Sequence, residues 1–154
     1  GVRRGKRCIT TIPDEAAHKP LDLIQRQFTA DQPNQLWVAD ITYVATWSGF
    51  VYVAFVVDVY PRYMVGWRAL KHMQTDLILD AFAHNALAEA INGLYKAEVI
   101  YKDGPWRGLD DVEQATLTWV GWFNNRRLLR PIGDRPPAEY EMLYYQQTES
   151  SKAA

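Results

Sequence analysis

Three runs rich in β-branched and aromatic residues follow one another with almost nothing between them: Leu36–Ala45, Phe50–Val59 and Tyr63–Leu70. Such side chains fit a pleated surface, and the short Ser48-Gly49 and Pro61-Arg62 breaks have the chemistry of tight turns. Connections this short cannot carry a crossover, so the runs can fold only as an antiparallel meander. In the first run one carboxylate, Asp40, interrupts an otherwise apolar string. An unpaired carboxylate in a sheet core costs several kcal/mol or takes up a proton, so Asp40 must face something; read from the residues alone, that is hydrogen-bond donors at a sheet edge.

Helices follow the meander. Thr75 is a candidate N-cap with Asp76 in the first turn, and the helical pattern runs without Pro or Gly to Gly93, extending toward Tyr101 before Asp103-Gly-Pro105 stops it. Along it Asn85, Glu89, Asn92 and Lys96 form one polar stripe, while Leu87, Ile91, Leu94 and Tyr95 lie on the side able to pack on the sheet. Taken alone, Glu89 reads as a solvent-facing helical glutamate. A second helix, about 109–124, carries Val112, Ala115, Leu117, Trp119, Val120 and Phe123 at helical spacing; Trp119, Trp122 and Phe123 read as core packing. A last helix opens after Pro136-Pro137 and ends near Gln147.

The organisation implied is a basic linker or arm over 1–34, a core domain over 35–147 and a disordered tail over 148–154. At 154 residues, 48% apolar and 23% charged, the chain is globular and sized for one domain. No apolar run approaches the roughly 20 residues that span a bilayer, and a single cysteine, Cys8, builds neither a disulfide nor a cysteine metal site, so a reducing cytoplasm is expected. The net charge of -1 excludes no partner. Basic residues cluster at Arg3, Arg4, Lys6 and Arg7 and again at Arg126, Arg127, Arg130 and Arg135. Such patches can neutralise phosphates, or simply be a solvated tail and turn. His18, His72 and His84 are too dispersed to suggest a metal cluster. The irregular basic opening suggests a fragment of a longer protein.

Five phrases in order resemble the insertion-sequence transposases that carry a retroviral-integrase-like core. They are Gln32-Pro-Asn-Gln-Leu-Trp-Val-Ala-Asp-Ile-Thr-Tyr43; Val56-Val-Asp-Val-Tyr-Pro-Arg62 with Val65-Gly-Trp67; Asn85-Ala-Leu-Ala-Glu-Ala90; Trp122-Phe-Asn-Asn-Arg-Arg127; and Pro136-Pro-Ala-Glu-Tyr140. The resemblance implies an α/β ribonuclease-H-like fold, here truncated to a three-stranded antiparallel meander followed by helices. It implies two cations, Mg²⁺ or Mn²⁺, held by two aspartates and one glutamate, acting on DNA at transposon ends and target. Asp40 matches the first acid and Glu89 the third. Asn85, Lys96, Arg126 and Arg127 join the basic arm as candidate DNA contacts, Arg126 and Arg127 serving equally as complements to a helix dipole.

The second aspartate has no counterpart phrase. Only 49 positions separate Asp40 from Glu89, about half what the family's intervening elements occupy. Phrases from two different helices meet near Phe82-Ala-His84 as if a segment had been removed in frame. Asp58, Asp76 and Asp80 are the remaining acids that could substitute. A hairpin centred on Ser48 would pair residue 40 with 56 and put Asp58 on the face of Asp40; a one-residue shift would reverse that. Loss of the strand that flanks the first one also leaves Leu36–Val44 as an apolar edge, inviting pairing with another chain or homo-oligomerisation. With two acids out of three, cleavage and strand transfer are expected to be defective.

Overall fold

A computed structural model describes residues 29–72 and 86–152. Its sheet has three antiparallel strands in the order β1 (Trp37–Thr46), β2 (Gly49–Asp58) and β3 (Met64–Leu70). The β-rich runs form the expected meander. The first hairpin closes on Thr46↔Gly49, so Trp47-Ser48 is a two-residue loop, and Gly49, at φ 112, takes a conformation a side chain would resist. Asp40 therefore pairs with Phe55, not with Val56. That single step matters: Asp58 pairs with Trp37 and belongs to the sheet face opposite Asp40.

One face is dry. Val38 and Val44 of β1, Val51, Val53, Phe55 and Val57 of β2, and Met64 and Ala69 of β3 form a buried layer. Over it lie α1 (Ala86–Tyr95) and α3 (Leu109–Arg126). From α1, Ala88, Ile91, Tyr95 and, beyond it, Val99 are buried at helical spacing; from α3, Val112, Trp119, Val120 and Phe123 are. Each fully buried side chain of this size contributes about 1.5–3 kcal/mol. At the centre Phe55, Tyr95 and Trp119 meet edge-on or tilted, with ring centroids 5.0–5.8 Å apart. Burial pushes the Tyr95 hydroxyl up to about 12, and it bonds Thr116 Oγ1 at 2.7 Å, which keeps it neutral and satisfied. Trp119 and Phe123 are core residues as expected; Leu117 and Trp122 are instead exposed.

The chain does not leave α1 as a uniform helix. Lys96–Ile100 widens into a π-helical turn, and α2 (Tyr101–Asp103) closes it before Gly104. The expected start at Thr75 lies outside the described residues. A last helix, α4 (Pro137–Lys152), packs beside the β2–β3 turn, where Tyr60 stacks with Tyr140 and Tyr144. This helix runs past Gln147, so Thr148 to Lys152 is helical rather than disordered. Thr148, Ser150 and Ser151 each donate to the carbonyl four residues back, which satisfies their hydroxyls inside the helix.

Strand β1 is the edge of the described sheet, as expected from the missing strand. Its far end is covered: Thr46 bridges Trp106, the Trp47 N–H donates to the Trp106 carbonyl at 2.9 Å, and Ser48 N–H to that of Arg107. Midway, the Ile41 N–H is taken up by the carboxylate of Asp40 at 2.8 Å.

Candidate acidic site between strand and helix

Asp40 sits on the helix-covered face of β1, in line with Val38, Thr42 and Val44. Its Oδ1 accepts the Ile41 N–H, and its Oδ2 accepts Asn92 Nδ2 from α1 at 2.7 Å. Two donors therefore fix the carboxylate, and each oxygen keeps a further lone pair. Asn92 is only 7% exposed, so it leaves the polar stripe that the sequence assigned it and turns toward the sheet. Glu89 lies one turn earlier on the same helix and is exposed. Asn92 thus ties Asp40 to the helix that carries Glu89.

Two buried oxygens at this junction have no hydrogen-bond partner: Asn92 Oδ1 and Oγ1 of Thr42, which is two residues past Asp40 on the same face of β1 and 3% exposed. Orphaned buried oxygens are uncommon in a folded chain. Among the described residues no group of three or more His, Cys, Asp or Glu converges. The three-carboxylate arrangement is therefore absent among the described residues; what the junction offers is oxygen atoms, the donor type that hard cations prefer.

Asp58 is a structural acid. Only 1% exposed, it accepts the N–H of Asn34 at 2.5 Å and of Tyr60 at 3.1 Å, tying the segment before β1 to the β2–β3 turn. It cannot replace the missing ligand from the opposite sheet face. Asp76, Asp80, Asn85, His84, His18, Arg3, Arg4, Lys6 and Arg7 lie outside the described residues.

The basic candidates divide. Lys96, one turn beyond Asn92, lies over the Tyr43 ring at 5.3 Å beside a cleft of about 510 Å³ that also takes in Trp47, Tyr101 and Trp106. Arg126 is exposed at the end of α3. Arg127 is not a free cation: it pairs with both oxygens of Glu98, at 2.6 Å to Oε2, and stacks on Trp122 and Phe123. Glu98 also accepts Trp119 Nε1 at 2.9 Å. With Arg127 Nη1 engaged by Glu98, Nε buried without a partner and the plane stacked on two rings, the contacts favour a structural role for this guanidinium. Sequence reasoning also missed Asn124, whose amide accepts the Met64 N–H at 2.9 Å and donates to the Met64 carbonyl at 3.0 Å, docking α3 on β3.

Two integrase core domain models match the chain, one over residues 30–93 and the other over 82–137. A Mycobacterium tuberculosis relative, named as a transposase for insertion sequence element IS986/IS6110, is 41% identical over 205 residues, covering 99% of this chain and 74% of its own. The chain belongs to the insertion-sequence transposases with an integrase core. The transposase for IS629 of Shigella sonnei is 43% identical over 191 residues, 94% of this chain and 64% of its own. That for IS3411 of Escherichia coli is 54% identical over 84 residues, 53% of this chain and 33% of its own. No solved structure matches. The first alignment spans 205 residues but consumes only 99% of a 154-residue chain, which leaves about fifty residues of that transposase without a counterpart here. No described helix is long and apolar enough to cross a membrane.

Proposed function

We propose that this chain is a DNA-transposition core reduced to two of its three acids, Asp40 and Glu89, and defective in cleavage and strand transfer. The observation that carries this reading is the Asp40–Asn92 hydrogen bond, which ties the strand acid to the helix of Glu89, while among the described residues no group of three or more His, Cys, Asp or Glu converges. Asp40 and Glu89 are the residues that hold Mg²⁺ or Mn²⁺ when it binds; such a cation polarises a phosphodiester and lowers the pKa of bound water. The chain itself fixes the Asp40 carboxylate from two sides and buries its inner face. DNA, as transposon ends or target, is bound by charge: the arm of Arg3, Arg4, Lys6 and Arg7, with Asn85, Lys96 and Arg126, supplies the phosphate contacts in a bacterial cytoplasm.

A nicking assay on supercoiled DNA with Mn²⁺, run beside salt-dependent DNA retention, tests this. The expected result is retention that weakens with salt, survives Asp40→Asn, and brings no nicking. Nicking that Asp40→Asn abolishes would show a working catalytic centre and overturn the defect; no retention at low salt would remove DNA as partner.

A second reading is favoured by β1 being the edge of the described sheet with Trp37 and Tyr43 exposed on its outer face. Through that edge the chain forms homo-oligomers or pairs with an intact transposase. Light scattering of the purified chain, and co-purification with a full-length relative, test it; a monomer that captures nothing rejects it.

A further inference from the structure

Asn92 is 93% buried as the complement of its 7% exposure, on a helix face otherwise made of Ala88, Ile91, Tyr95 and Val99. An amide in that company needs a reason. One half of it has one, since Nδ2 donates to Asp40 Oδ2; the other half, Oδ1, has no partner. Thr42 presents a second orphaned oxygen from the same face of β1 as Asp40. Two partnerless buried oxygens beside a carboxylate call for an explanation.

We infer that Asn92 is the third oxygen ligand at the acidic junction, standing in for the absent acid. The inference rests on the roles proposed for Asp40 and Glu89. The spacing supports it. Two oxygens in adjacent positions around an octahedral Mg²⁺, each 2.0–2.1 Å from the metal, lie roughly 2.9 Å apart. The Asn92 amide nitrogen is 2.7 Å from Asp40 Oδ2. Turning the amide over about its Cβ–Cγ bond puts Oδ1 in that place, so an oxygen pair with the spacing of a coordination edge forms without moving the helix. Without a cation, the N–H faces the carboxylate and hydrogen-bonds it; with one, the oxygen faces it. Asn92 thereby works as a two-way amide, and the oxygen orphaned in one state is the ligand in the other. Glu89, exposed one turn earlier on the same helix, is the second carboxylate of the site as proposed above.

The test is Mn²⁺ binding by the full chain, read from the electron-paramagnetic signal of free Mn²⁺, with circular dichroism to verify folding. The parent takes up one Mn²⁺ and Asp40→Asn takes up none. Asn92→Ala weakens binding by ten- to a hundredfold, whereas Asn92→Asp, which places an oxygen there permanently, tightens it at least tenfold. In ¹⁵N spectra the Asn92 side-chain NH₂ signals shift on Mg²⁺ addition, and Asp40→Asn removes that shift. Should Asn92→Ala fail to fold, the Asn92→Asp affinity and the amide signals still decide. Parent-like binding in Asn92→Ala, no gain in Asn92→Asp, or unmoved amide signals would overturn the role of Asn92 and leave Asp40 and Glu89 standing. A parent and an Asn92→Asp variant that both take up no Mn²⁺ would overturn the acidic junction as well.

Discussion

Arg127→Ala separates a structural cation from a DNA contact. Removing the side chain breaks the bidentate pair with Glu98 and the stacking on Trp122 and Phe123. Glu98 stays behind with only Trp119 Nε1 as donor. Charge-assisted hydrogen bonds contribute about 1.5–3 kcal/mol, and a partly exposed cation–π contact about 0.5–1 kcal/mol. The side chains are 19% and 32% exposed, so the lower half of the first range applies. The expected cost is therefore about 2–3 kcal/mol, a large share of the about 5–15 kcal/mol that holds a domain together. Urea unfolding reads this as a lower midpoint at unchanged slope.

DNA affinity should barely move. Each phosphate contact adds about 0.9 to the slope of log affinity against log salt, so Arg127→Ala leaves the slope as it was. Arg126→Ala, one residue away and exposed, should do the reverse: lower the slope by about 0.9 with under ~0.5 kcal/mol lost in stability. If Arg127→Ala flattens the salt dependence while unfolding at the parent's midpoint, the structural assignment of that guanidinium is wrong.

Asn124→Ala removes both partners of the Met64 backbone groups, and an unsatisfied buried group costs about 1–3 kcal/mol, so a loss of about 2–5 kcal/mol in urea is expected; a loss below about 1 kcal/mol would mean water replaces the amide. Glu141 is held above its ordinary value of 4.5 by burial first and then by the Asp58 charge. Its raised folded-state value means stability that is full below the unfolded value and lost as pH rises through the folded one. Glu141→Gln should thus melt higher than the parent at neutral pH, with the gap closing below pH 4.5; a constant gap across that window would reject the assignment. Asp58→Ala strips the acceptor from two backbone N–H groups and should cost about 2–4 kcal/mol without changing Mn²⁺ binding, measured by unfolding and ion uptake together; reduced uptake would place Asp58 in the site after all.

Strands are legible here because each carries its own signal. β-branched and aromatic runs separated by turn residues leave one arrangement, and the described meander follows it. The register is different in kind. Local turn chemistry favours Ser48-Gly49 as the centre, yet the loop is Trp47-Ser48, because the N–H groups of both loop residues bind carbonyls at Trp106 and Arg107. Those partners are about sixty residues downstream, and no local pattern registers them. One residue of slip then moved Asp58 from a candidate ligand to a turn-forming acid on the other face. The helical end of α4 was missed for a similar reason: serines and threonines read as irregular, but each satisfies itself on the preceding turn.

The site divides along the same line. Asp40 was conspicuous because its cost is local: one carboxylate in an apolar strand must be answered by something. Asn92 was invisible because its cost is answered only in three dimensions. On a helical wheel it belongs with Glu89 and Lys96, and polarity alone sends it to solvent; Asp40 across the junction pulls it in, at the expense of an orphaned oxygen. Arg127 erred in the opposite direction, since a basic pair at a helix end looks free until Glu98, from another helix, claims one of its members. Polar residues are thus assigned to surfaces by sequence and reassigned by pairing. Asp40 is answered in the same way: a carboxylate in an apolar strand is held only where donors reach it, and the Ile41 N–H and Asn92 Nδ2 are the donors that do.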